Sequence, residues 1–297
     1  MEQVFSRNLK ERQVLSQKHI AIVGVGSGGS AIADMAARAG MGRITLIDPD
    51  TLAPENLGRH MLTGTDLGKT KVEAMRARIL AINPACQVDA LACKFSPYIF
   101  EAWVTFAFGP DGCKRNERPP KVDHMPDLVV SCVDSFNCES SINGFCLEHN
   151  IPAVYGGAWG AASAGEILCV IPGKTPCYEC YAGFRRSEVE IPNDPRKYTD
   201  PDFDGTKTGG QPGLWSNMLI ITGLQFQVVL GVMGLLDCID YDCTLWLMNI
   251  SDCDSPLQPL AVTFAKVKKG CAVCDESKLS ELDIGLAREG LSELTVL

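Results

Sequence analysis

The chain is short of positive charge. It carries 27 Lys plus Arg against 36 Asp plus Glu, a formal net charge of −9. A protein whose main partner is nucleic acid needs a basic face, so this balance argues against that class. Internal repeats and low-complexity tracts are missing, which excludes solenoids and mostly disordered chains. The opening residues, Met1 to Arg7, lack the basic-then-apolar pattern of a secretory signal. Only one apolar stretch approaches a membrane span, Leu219 to Leu236, and Gln225 and Gln227 interrupt it. We expect a buried helix or subunit interface there, capped by Ser216, and no membrane. We expect a cytoplasmic protein.

What is present is globular. Of 297 residues, 46% are apolar and 21% charged. The 14 cysteines are too thinly spread over a chain of this size for a disulfide-stapled scaffold. Most read as small core residues.

The pattern alternates strands and helices. His19 to Val23 is a strand, followed by a glycine turn and a helix over Ser30 to Ala39. Arg43 to Ile47 is a second strand, residues 69–82 a helix and Val88 to Ala92 a third strand. Asp127 to Cys132, Ser140 to His149 and Ile151 to Tyr155 continue as strand, helix, strand. Such alternation predicts an α/β fold, a Rossmann-like, doubly wound, mainly parallel sheet. Residues 1–297 read as one domain with four parts. These are an N-terminal arm (1–17), a half that carries the first strands and the glycine turn (18–160), a half with a turn-rich crossing loop and the apolar helix (161–275), and a tail (276–297). The polar, Pro-rich segment GPDGCKRNERPPKVDH at 109–124 reads as an exposed insertion.

Gly24, Gly26 and Gly29 form a Gly-x-Gly-x-x-Gly turn between strand and helix. Glycine there lets a phosphate approach the backbone, and the helix N-terminus supplies free N–H groups. Asp48 ends the next strand, where a carboxylate can accept from ribose hydroxyls. This much also fits a nicotinamide-dependent oxidoreductase or a nucleotide-sensing scaffold. The residues that follow point to phosphate chemistry instead. Arg59 and Lys71 supply fixed cations for charge that builds on a transferring phosphoryl group and departing pyrophosphate. Asp50 and Asp134 can hold Mg²⁺.

Cys177-x-x-Cys180 and Cys271-x-x-Cys274 are two thiolate hooks separated by a long stretch of chain. Four thiolates suit tetrahedral Zn²⁺, here clipping distant segments together. A redox pair is the competing reading.

The sequence resembles the ThiF/MoeB/HesA adenylyltransferases, the core also used by ubiquitin-activating enzymes. The matching stretches are GVGSGGS at 24–30, LIDPDTLAPENLGRH at 46–60, GKTKVEAMRARILAINP at 68–84, VVSCVDS at 129–135, PCYEC at 176–180 and CAVC at 271–274. The resemblance implies ATP as nucleotide, with Gly26 and Gly29 by its phosphates and Asp48 on its ribose. It implies phosphate contacts from Asn56, Arg59 and Lys71, and support of Mg²⁺ or the reacting centre by Asp134. Phe5-Ser6-Arg7-Asn8 resembles a segment whose arginine reaches the active site of a partner subunit, so Arg7 and a homodimer are implied together. The implied substrate is the C-terminal carboxylate of a ubiquitin-like or sulfur-carrier β-grasp protein. Adenylation of a peptide or a tRNA-modification substrate stays open beside it. Many relatives also carry a thioester-forming cysteine in the crossing loop; here no cysteine lies between Cys180 and Cys238. Ser135, where relatives often have Asn, is a second departure.

Overall fold

The computed structural model describes residues 7–99, 124–159, 162–182, 213–237, 239–240, 244–249, 261–265, 271 and 273–274. The expected insertion at 109–123, the crossing loop, Cys238 and the tail lie outside the described residues.

Helix α1 (Leu9–Leu15) leads into β1 (His19–Val23), α2 (Ser27–Ala39), β2 (Arg43–Ile47), α3 (Lys71–Ile82) and β3 (Gln87–Leu91). After these come β4 (Leu128–Ser131), α4 (Phe136–Glu148), β5 (Ala153–Trp159), β6 (Ala164–Val170), α5 (Trp215–Val232), β7 (Leu245–Asn249) and β8 (Ala261–Ala265). The strands form one eight-stranded sheet in the order β3-β2-β1-β4-β5-β6-β7-β8. Pairings from β3 through β5 are parallel, and β6 to β8 add antiparallel strands at the far side.

The burial pattern explains the winding. Every residue of β1 is buried. Ile20 and Ile22 join one apolar layer with residues of α2, α3 and α5, while Ala21 and Val23 join another with α4 and the segment around Cys177. A strand buried on both faces reads as an apolar run, which is what Ile20 to Val23 shows. Chain order reverses between β1 and β4, so a crevice opens at their carboxyl ends, where ligands bind in such sheets.

Three expectations need correction. Helices α2 and α4 begin earlier than the apolar spacing indicates, at Ser27 and Phe136, because the glycine turn and a serine cap start them. Ser216 does not cap α5: Leu214 holds that position with extended backbone, and Ser216 lies inside the helix. The antiparallel strands β6 to β8 were not anticipated. The inner face of α5, through Ile221, Gln225, Phe226 and Val229, is buried in the core, while Leu219 and Ile220 are exposed. By length and composition α5 is apolar enough to cross a membrane. Its buried Gln225 Nε2 instead donates to Ser131 O at 3.2 Å, joining it to the sheet.

Candidate nucleotide site and cysteine cluster

The glycines of the turn after β1 serve different ends. Gly24 has φ +84°, and a Cβ there would lie 2.6 Å from Cys132 O. At Gly29 a Cβ would lie 1.8 Å from Gly24 O. These two are required by the fold itself: the turn is pressed against the end of β4, and α2 against the turn. Gly26 is different. A Cβ there meets nothing within 4 Å, yet Gly26 is the N-cap of α2. Its missing side chain keeps open the approach to the N-terminus of a 13-residue helix, the place where an anion is favoured.

Asp48 ends β2 and turns inward. Its Oδ2 accepts from the Val25 N–H at 2.6 Å and its Oδ1 from the Asp50 N–H at 2.9 Å. The buried carboxylate therefore holds the glycine turn in place. Burial raises its pKa, opposed by Lys71 and by the two backbone donors. Lys71 opens α3, buried, with Nζ 2.8 Å from Asp50 Oδ2 and 4.0 Å from Asp48 Oδ1. Thr70 caps this helix by accepting from the Glu73 N–H at 3.4 Å. The Lys71 N–H donates to Asp50 O, so backbone and side chain both tie α3 to the loop after β2.

The loop between β2 and α3 carries Asn56 and Arg59 on a short 3₁₀ turn, Pro54–Arg59. Asn56 Oδ1 accepts from the Ala53 N–H at 3.0 Å. Arg59 is half-buried at the end of the same turn. The sequence reading missed the residue that anchors this loop, His60. Its Nε2–H donates to Val25 O at 2.8 Å and its Nδ1 accepts from the Leu62 N–H at 3.1 Å. That arrangement uses the neutral ring, and burial accordingly lowers its pKa. A single histidine after Arg59 has no spacing partner to reveal it.

The structure thus brings Gly24, Gly26, Gly29, Asp48, Asp50 and Lys71 together, with Asn56 and Arg59 on a loop pinned to the same turn. Asp134 follows β4, exposed, two residues beyond the Cys132 carbonyl against which Gly24 packs, and Ser135 caps α4. Arg7 is not part of this cluster. Neighbouring Asn8 Nδ2 donates to Arg38 O in the last turn of α2. Arg7 therefore sits at the opposite end of α2 from Gly26, about 20 Å along its axis.

In the apolar layer that also holds α4, Cys177, Cys180, Cys271 and Cys274 converge, their four Sγ atoms within 4.8 Å of one another. Five of the Sγ–Sγ separations run from 3.4 to 4.0 Å. A tetrahedral zinc site with Zn–S bonds of ~2.3 Å has edges of ~3.8 Å, so this thiol set fits the ion. The crowding acts unequally on the thiols. Contact with Cys180 and Cys271 pushes the Cys177 pKa up, while Cys274 is drawn down to about 7, Cys177 being its main partner.

Comparison with known proteins agrees with this layout. Ubiquitin-like modifier-activating enzyme 5 of Caenorhabditis elegans is 32% identical over 172 residues, 58% of this chain and 39% of that protein. The enzyme of the same name from Drosophila ananassae is also 32% identical over 172 residues, covering 58% and 42%. The chain thus spans about two fifths of the length of these relatives. Among solved structures, E. coli MccB with ATP superposes with a TM-score of 0.63 at 19% identity, over 90% of this chain and 69% of that one. PaaA superposes with a TM-score of 0.60 at 19% identity, over 88% and 68%. At these identities the structural likeness speaks for the fold. The ThiF family profile matches residues 3–265. Since that match takes in the glycine turn, the β2–α3 loop, the Asp134 turn and the first cysteine hook, the chain belongs to the ThiF family.

Proposed function

We propose that this protein is an ATP-dependent adenylyltransferase. Its substrate is the C-terminal carboxylate of a ubiquitin-like or sulfur-carrier β-grasp protein. The observation that carries the reading is Lys71, a buried ammonium fixed between Asp48 and Asp50 beside a glycine turn that opens onto a helix N-terminus. A hydride-transferring enzyme has no use for a cation held there. A nucleotidyl transferase needs one, because negative charge accumulates on the α-phosphate and on departing pyrophosphate.

In this reading Asp48 orients the nucleotide through its ribose while its two backbone bonds hold the turn rigid. Gly26 and the first N–H groups of α2 receive the α-phosphate. Lys71, Arg59 and Asn56 hold the outgoing phosphates. The substrate carboxylate is ionised at pH 7, so it attacks the α-phosphorus in line without a general base. The bond to the β-phosphate oxygen breaks, and an acyl-adenylate and pyrophosphate result. Asp134 and Asp50 would hold Mg²⁺, which supplies charge neutralisation of the phosphates when bound. Zn²⁺ on the four cysteines is structural, because all four positions of a tetrahedral ion are taken by protein ligands. Arg7 completes the site only from a second copy, which ties this reading to a homodimer. The sequence carries no cysteine between Cys180 and Cys238, so the adenylate passes to a nucleophile on another protein. We place the protein in the cytoplasm.

ATP–pyrophosphate exchange tests this directly. Purified protein with Mg²⁺ and a β-grasp carrier should exchange label, and a carrier lacking its terminal glycine should not. ATP binding without exchange for any carrier would replace the reading with a different acyl substrate, a peptide first, or a nucleotide sensor.

A further inference from the structure

We propose that Tyr178 is a positioning residue that couples the four-cysteine site to the turn bearing Asp134, through helix α4. The inference rests on the proposed role of Asp134 in the nucleotide reaction. Tyr178 lies between Cys177 and Cys180 and is 1% exposed. Its backbone N–H donates to Asn143 Oδ1 at 3.0 Å, and its hydroxyl donates to Glu139 Oε2. Glu139 and Asn143 are one turn apart on the same face of α4, both buried. The Glu139 N–H in turn donates to Ser135 O at 3.0 Å, and Ser135 adjoins Asp134.

A second contact reaches the same turn from the strand side. The Tyr178 ring stacks on Tyr155 with centroids 4.9 Å apart. Tyr155 pairs in register with Ser131, the last residue of β4. Residues 132–135 are therefore flanked on both sides by elements that lean on Tyr178. The coupling is stiff for a physical reason. If Tyr178 moved, the buried Glu139 carboxylate and Asn143 amide would lose the donors it supplies, which is costly for buried polar groups. Helix α4 must follow the cysteine hook, and a metal on the four thiols fixes that hook. The position of Asp134 then depends on zinc occupancy.

The test compares zinc-loaded full-length protein, the same protein stripped by chelator, and zinc-loaded Tyr178→Phe. Hydrogen–deuterium exchange is followed across residues 132–139. We expect exchange about tenfold faster in both the stripped protein and Tyr178→Phe, with zinc content unchanged in the variant. ATP–pyrophosphate exchange by Tyr178→Phe should show kcat about tenfold lower and the KM for ATP within about twofold, as displacement of a positioned group does. The double variant Tyr178→Phe/Glu139→Leu removes both partners, so thermal stability should recover while kcat stays low. Recovery of kcat together with stability would reduce Tyr178 to packing and overturn the proposal. So would unchanged protection of 132–139 in zinc-loaded Tyr178→Phe. If Tyr178→Phe does not fold, Glu139→Gln carries the same comparison. Protection that tracks zinc and Tyr178 in a protein showing no pyrophosphate exchange would sink the adenylation reading and leave the coupling standing.

Discussion

Two glycines three positions apart answer to different pressures. Gly29 has no room for a methyl group: its Cβ would sit 1.8 Å from Gly24 O. Gly29→Ala should therefore destabilise the fold by about 3 kcal/mol or more, measured by thermal or urea unfolding. Gly26 has room on the protein side. Gly26→Ala should unfold within about 0.5 kcal/mol of wild type yet bind ATP at least about tenfold more weakly, because only a ligand occupies that space. Equal ATP affinity in Gly26→Ala would mean that the phosphates lie elsewhere. Lys71 is the other residue whose identity matters in full. Lys71→Ala should reduce exchange about 10²–10³-fold, as losing one transition-state contact does. Its unfolding cost should be smaller, about 1–3 kcal/mol, because Asp48 keeps its two backbone donors and Asp50 is exposed. An exchange rate unchanged in Lys71→Ala would remove it from the chemistry.

At the level of elements, the start of β1 makes the fold pH-dependent. His19 is buried, its Nε2–H donates to Thr45 Oγ1 at 2.8 Å, and Thr45 donates to Asp89 at 3.0 Å. Burial and the neighbouring Arg43 lower its pKa to about 4. The folded state thus keeps the ring neutral while the unfolded chain takes up a proton below its ordinary value of 6.5. Stability present at pH 7 is lost as pH falls from 6.5 towards 4, by about 2 kcal/mol at pH 5. Urea unfolding at pH 7 and pH 5 checks this. His19→Gln should show the shallower loss, and identical losses would refute it. His60 shifts in the same direction and adds to the slope in both proteins.

For the molecule as a whole, the cysteine cluster has the longest reach. Cys177 and Cys271 are 94 residues apart in sequence and 3.4 Å apart in space. A clip closing so long a loop is worth about 4 kcal/mol in chain entropy. Chelation, or Cys274→Ser, should release one zinc per chain and lower the melting temperature by about 10 °C. Metal analysis showing no zinc in purified protein, with the same melting temperature after chelation, would assign the thiols to redox chemistry.

Local chemistry made much of this legible before any coordinates. The run from Ile20 to Val23 is apolar throughout because both faces are buried, and Gly24 and Gly29 stand where a turn and a helix start need them. Asp48 falls at a strand end, and the two Cys-x-x-Cys hooks declare a four-thiolate set by spacing alone. The resemblance carried Asn56, Arg59 and Asp134, whose side chains have no local signature. Tertiary contact settled the rest. His60 anchors the turn through a carbonyl 35 positions away in sequence, a relation no periodicity encodes. The strands β6 to β8 depend on pairing across the sheet edge, which propensity alone does not fix. Gly24 and Gly26 look alike as letters, and only the packing of the turn against the end of β4 separates a glycine the fold requires from one with open space around it. Sequence spacing records what neighbours along the chain must do. Burial, ionisation and the union of distant hooks follow from which surfaces meet.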